Sequence, residues 1–192
     1  MCWFLAQLVQ SGMDKMEAGV IEQGAQGNVQ TIAKGWVLCE FYMDCSKGCG
    51  LMGAAWIVKD EKGRVLEHSR RAFSDVKSIN ETKLRVWLWV LERMKSLRKK
   101  KVIFLSTFGD TVEAIEQPGL WPNLQFEATE IKRELHSLEA WELRIRLLAS
   151  VRCASFIARS VRQLGLMQSR VAAGHLRWLD HMYANERGAS DS

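Results

Sequence analysis

From Ser78 to Leu97 the chain spells a helix that is apolar around most of its girth. Leu84, Trp87, Leu88, Leu91 and Met94 recur at i, i+3 and i+4 spacing, the period of one helical face. Val86, Trp89 and Val90 widen that stripe well beyond one face. A helix of this kind cannot lie on a surface with half its circumference in water. The rest of the chain must cover it on several sides, and this requirement limits the folds available. Ser78 or Asn80 can cap its start with a side-chain oxygen. Lys95, Arg98, Lys99 and Lys100 gather at its end, where positive charge complements the helix dipole.

The flanking segments supply the cover. Trp36 to Met43 and Gly53 to Lys59 are β-rich apolar runs, and Arg64 to Phe73 returns as a third strand. Asp60-Glu61-Lys62-Gly63 reads as a tight hairpin between the last two, with Gly63 free to take a positive φ. After the helix, Lys101 to Ser106 is a short apolar strand of the kind buried in a sheet. Asp110 to Glu116 predicts a short helix, Pro118 to Pro122 a break, and Asn123 to Leu138 a second amphipathic helix. Trp141 to Leu147 alternates apolar and charged residues, a half-exposed strand. Val151 to Leu164 predicts a helix with Ala154, Ile157, Ala158, Val161 and Leu164 inward and Arg152, Arg159 and Arg162 outward. The order is β-β-β-α-β-α-β-α, with the middle helix split. It predicts an α/β fold: a five-stranded mixed sheet, three antiparallel strands then alternating helix and strand, with helices on both faces.

At 192 residues the chain is sized for one ordinary domain plus tails. Residues 1–34 read as a flexible N-terminal arm and linker, rich in Gly and Gln after a short apolar start. Residues 35–165 form the domain, and 166–192 read as a C-terminal helical tail. With 47% apolar and 26% charged residues, a disordered chain is excluded. No apolar run approaches the ~20 residues of a membrane span, and Met1 to Gln10 lacks the basic start of a signal peptide. The five cysteines are an odd count without secretory context, so reduced thiols and an intracellular protein, nuclear or cytoplasmic, are expected. Cys45-x3-Cys49 lacks two further ligands at zinc spacing, so no metal site is expected there.

Several short motifs, in order, make residues 35–165 resemble the ribonuclease H-like fold, in its plant-type, reverse-transcriptase-like branch. Gly35-Trp36-Val37-Leu38-Cys39 is similar to the family's G-W-V-K-C run into the first strand. Gly50 and Gly53-Ala54-Ala55 resemble its G-x-x-G-A-G turn, and Lys59-Asp60 followed by Gly63 its R-D-x-x-G hairpin. Ser78-Ile-Asn-Glu-Thr-Lys-Leu84 resembles the N-x-A-E-L helix start. Lys101-Val-Ile-Phe-Leu-Ser-Thr107 resembles K-V-x-x-E-S-D, and Cys153-Ala-Ser-Phe-Ile-Ala158 resembles V-A-D-x-L-A. Such domains often sit in chains derived from retroelements.

The resemblance implies hydrolysis of the RNA strand of an RNA–DNA hybrid by two divalent ions, usually Mg²⁺, held between four carboxylates. Acids are needed because two dications about 4 Å apart repel each other unless anionic oxygens neutralise them. Carried over residue by residue, those four positions fall on Tyr42, Lys83, Thr107 and Ser155, none of them acidic. Asp44, two residues past Tyr42 and on the same strand face, is the one candidate catalytic acid, and a small deletion in the following loop would put it at the catalytic position itself. Asp110 reads as a cap for the next helix. Lys83 is either drift or an ammonium that stands in for a metal and holds a phosphate. No cofactor is expected, with Mg²⁺ required only if the site is active.

The net charge of +5 permits a phosphate-bearing partner. Arg98-Lys99-Lys100-Lys101 is a dense basic knot, and Arg144 to Arg177 holds seven arginines and no acid. Arg98, Lys99, Lys100, Lys101, Arg152 and Arg159 are the expected contacts to a nucleic-acid backbone, which needs only surface positive charge. Trp56, Trp87 and Trp141 read as core, whereas Trp3, Trp36 and Trp178 are placed to meet a partner. The expected function is a ribonuclease H-like nucleic-acid-binding domain that is catalytically inactive. The alternatives are an active hybrid ribonuclease with a site rearranged around Asp44, and a protein-interaction scaffold using the arm or tail. The expected partner is an RNA–DNA hybrid or duplex backbone; no membrane is expected.

Overall fold

Alternation in the first half of the chain builds a β-meander. In the computed structural model, which describes residues 32–45, 50–75 and 77–174, β1 (Val37–Cys45), β2 (Leu51–Lys59) and β3 (Val65–Ser74) pair antiparallel in sequence order. Asp60 closes the hairpin between β2 and β3. Its carboxylate accepts the backbone N–H groups of Lys62 at 2.9 Å and Arg64 at 2.8 Å, and Gly63 takes φ +73°. The helix α1 (Ile79–Ser96) follows, capped by Ser78, whose Oγ accepts the Glu81 N–H at 3.1 Å. The chain then crosses to β4 (Lys101–Ser106), which lies parallel beside β1. Two further helices, α2 (Gly109–Glu116) and α3 (Gln125–Leu135), lead to β5 (Ala140–Ile145), parallel to β4. α4 (Arg152–Leu164) is the last helix among the described residues.

The sheet has six strands rather than five, in the order β5-β4-β1-β2-β3-β6. The sixth, β6 (Arg170–Ala173), pairs antiparallel with β3 and lies inside the stretch expected to be helical. Its four residues are all exposed, so no buried face marks them in the sequence. Position is what makes them a strand: without β6, the outer edge of β3 would leave backbone groups unpaired. Gly174 N–H to Leu66 O, at 2.7 Å, and the His68 Nδ1 contact to Gly174 O, also 2.7 Å, fasten its end. Residues 1–31 of the expected arm, with Cys2 and Trp3, lie outside the described residues. So do Cys49 and residues 175–192 of the expected tail, with Trp178. The described residues belong to one compact unit, Ile32–His175.

The two faces of the sheet are packed differently. Cys39, Phe41, Met43, Met52, Ala54, Trp56, Val58, Val102 and Phe104 point to the face carrying α1, α2 and α3, and form the main core. There α1 buries Val86, Trp87, Trp89, Val90, Leu91 and Met94, as its broad apolar girth requires. Trp87 is locked between Phe41, with ring centroids 4.5 Å apart, and Phe104, at 5.6 Å. The opposite face is covered by α4, which packs on β2 beside Gly53. A Cβ on Gly53 would lie 2.0 Å from the Ala158 carbonyl oxygen and 2.8 Å from the Arg162 nitrogen. Only a glycine lets α4 approach β2 this closely. Trp36 packs on this side with Leu38 and Tyr42 against Ile103, Leu105 and Val151. Among the described residues, no helix is long and apolar enough to cross a membrane.

Candidate functional site

Of the four positions at which the resemblance requires acids, Tyr42 and Lys83 lie toward opposite faces of the sheet. Tyr42 lies in β1, and its side chain packs beside Ile103, Leu105 and Val151 on the α4 face. Its neighbour Phe41 points to the other face, into the main core. Lys83 belongs to that other face. Its ammonium pairs with the Asp110 carboxylate and sits 5.9 Å from the centre of the Phe108 ring, which in turn packs edge-on against Phe41. Thr107 follows directly on β4, and Ser155 lies in the first turn of α4, its hydroxyl donating to Arg152 O at 2.8 Å.

Asp110 therefore does not cap α2, as the sequence suggests. It is the second residue of that helix, which has no side-chain cap, and it is drawn to Lys83 instead. Burial pushes its carboxyl up, but the Lys83 hydrogen bond and charge and the Thr111 backbone N–H, at 2.7 Å, outweigh this and leave it below the usual range. The partner is 27 residues away in sequence, and no local pattern announces it.

Asp44 shares the α4 face with Tyr42, as its spacing predicts, and its carboxylate is bound by Arg162. Arg162 is thus not the outward residue the helical pattern suggests: its side chain is 19% exposed. Burial pushes the Tyr42 phenol up, Asp44 adds to this, and Arg159 partly offsets it. Cys45 feels the same surroundings: burial and Asp44 raise its thiol while Arg162 lowers it. Deeper on this face, Glu40 and Lys59 form a buried ion pair at 2.6 Å, both under one-tenth exposed.

These groups do not fit two dications. The four family positions present a phenol, an ammonium and two aliphatic hydroxyls. Asp44 and Asp110 are each held by a cation, on opposite sides of the sheet. Among the described residues, no three His, Cys, Asp or Glu side chains come together as a metal-holding group.

The basic residues expected to contact nucleic acid are also dispersed. Arg98 to Lys101 sit at the junction of α1 and β4, about 20 Å along the helix from Lys83. Lys99 bonds Glu67 at 2.9 Å and Lys101 lies 3.4 Å from Glu139, so both are engaged within the fold. Arg98 and Lys100 are exposed there. Arg152 and Arg159 lie on α4, at the other side of the sheet, with Arg152 exposed.

No protein-family model matches the chain, and no curated protein does. Solved structures do match. RNase H1 from the halophilic archaeon Halobacterium salinarum NRC-1 aligns with TM-score 0.56 and 15% identity, over 65% of this chain and 95% of that one. LC11-RNase H1, solved in complex with an RNA/DNA hybrid, aligns with TM-score 0.58 and 14% identity, over 67% and 98%. LC9-RNase H1, described as a type 1 RNase H with the type 2 active-site motif, reaches 0.58 at 11% identity, over 82% and 87%. The fold is ribonuclease H-like. In this ribonuclease H-like domain, the positions where the resemblance calls for acids hold Tyr42, Lys83, Thr107 and Ser155.

Proposed function

We propose that this chain is a ribonuclease H-like nucleic-acid-binding domain, of the plant-type branch, that has lost two-metal hydrolysis. The observation that carries the reading is the Lys83–Asp110 ion pair. At the position where the family places a metal-binding glutamate, this chain has an ammonium already neutralised by a carboxylate. Replacing it with two dications would require removing that positive charge and supplying several anionic oxygens. Asp44 does not supply them, since Arg162 occupies its carboxylate. Binding of a nucleic-acid backbone is supported by the fold, by the net charge of +5 and by the acid-free run from Arg144 to Arg177. A structural relative solved with an RNA/DNA hybrid makes that duplex the first substrate to try.

The test is incubation of the full chain with a labelled RNA–DNA hybrid in Mg²⁺ and, separately, in Mn²⁺. No cleavage above the metal-only background is expected, while salt-sensitive binding is. Cleavage that disappears in Asp44→Asn would instead establish a catalytic centre rearranged around Asp44. Absence of binding even at low salt would leave a protein-interaction scaffold as the reading.

A further inference from the structure

We infer that the β3–β6 edge carries a phosphate-binding site made by Arg70 and Arg170, a pair with no counterpart in the motifs of the sequence. The inference deepens the nucleic-acid reading, on which its natural ligand rests, by naming a contact point. Arg70 and Arg170 stand directly opposite each other in the antiparallel register. Residues so placed share one face of the sheet, with Cβ atoms about 5 Å apart. Arg70 also aligns with Ala55, and Ala55 with Tyr42, so the pair lies on the α4 face.

Like charges directly opposite on adjacent strands destabilise a sheet. Nothing among the described residues relieves this repulsion: no carboxylate pairs with either guanidinium. The nearest acid on β3, Glu67, is bonded to Lys99. Residues of β3 that share the face with Arg70 are Ala72 and His68, and His68 is turned to the Gly174 carbonyl oxygen. Arg70 is half-buried, and burial lowers its pKa, the mark of a cation that has lost water without gaining an anion. Arg170 is exposed, so the pair is open to solvent on one side. Two forked guanidiniums rooted on Cβ atoms this close can converge on one phosphate group, whose oxygens each can hold by two N–H donors. The ligand would come either from a nucleic-acid backbone or from a free phosphate, and both present the same tetrahedral anion.

Part of the basic surface is already engaged within the fold. Lys99 and Lys101 in the α1–β4 knot, and Arg162 on α4, each have an acid of the fold as partner. Among the described residues, the two arginines at the β3–β6 edge have no such partner.

The experiment uses three variants: Arg170→Gln, Arg170→Glu and, at an exposed position away from the site, Lys62→Gln. In phosphate-free buffer, Arg170→Gln and Arg170→Glu are expected to melt at or above the wild-type temperature, because each removes the repulsion. Adding inorganic phosphate at constant ionic strength is expected to raise the melting temperature of the wild type and of Lys62→Gln, and to leave both Arg170 variants unmoved. In anisotropy titrations with a labelled hybrid, Arg170→Gln is expected to weaken binding about tenfold at low salt and to flatten the slope of log K against log salt by about 1. A wild type that does not respond to phosphate overturns the site, even if it binds the hybrid. A phosphate response that persists in Arg170→Glu overturns it too. A phosphate response lost in both variants, with hybrid binding unchanged in Arg170→Gln, upholds the site and assigns it to free phosphate. The same loss with no hybrid binding by the wild type upholds the site and removes the nucleic-acid reading.

Discussion

Lys83 shows how one side chain sets the chemistry of a neighbourhood. Its ammonium holds Asp110, and the Asp110 carboxyl sits below its usual range, because the lysine and the Thr111 amide outweigh the effect of burial. A carboxyl whose pKa is lower when folded stabilises the fold fully above the unfolded value, near ~4, and loses that contribution as pH falls through the folded value. Acid below about pH 4 should therefore weaken the wild type more than Asp110→Asn, in urea midpoints compared at neutral and acid pH. Equal acid losses in the two proteins would rule this out. At neutral pH, Lys83→Met should cost about 1 kcal/mol, since the pair is only partly shielded from water. None of this is legible locally. The spacing from Lys83 to Asp110 is long, and sequence position suggests a capping role for Asp110 that the geometry does not support. Arg162 follows the same logic: its helical position suggests water, and Asp44 on a distant strand captures it.

At the scale of elements, the strands and helices follow from pattern because pattern is what they bury. The broad stripe of α1 demanded cover and receives it from the sheet and α3. The Asp60–Gly63 hairpin forms where a turn residue and a glycine coincide. β6 was not legible, because an exposed edge strand has no buried face to leave a period in the sequence; pairing with β3 alone defines it. Gly53 is the element-scale pivot. Its Cβ would overlap the backbone of α4, and backbone cannot step aside as a flexible side chain can. Gly53→Ala should destabilise the domain by about 2–4 kcal/mol, the range of other overpacked or strained core positions, read as a lowered denaturation midpoint. Ser78→Ala should cost about 1 kcal/mol by removing the α1 cap. If Gly53→Ala proved as mild as Ser78→Ala, the close approach of α4 would be wrong.

For the whole molecule, the sheet order places β1, flanked by β4 and β2, at the centre and β6 at one edge. Native-state amide exchange should follow that order. The amides of Phe41, Trp56 and Phe104 should exchange only on global unfolding, and those of Val171 and Ala172 should exchange first. Protection of β6 equal to that of β1 would contradict the edge assignment. What the sequence determined by itself was the class of fold and the central helix. These are properties of residue type and periodicity, and each can be read within a window of neighbours. What only the tertiary structure decided was which charges meet. Lys83 with Asp110, Asp44 with Arg162 and Arg70 against Arg170 join residues from separate elements. Such meetings depend on register and on which face of the sheet each side chain takes. A shift of one residue exchanges the faces, so local composition does not encode them.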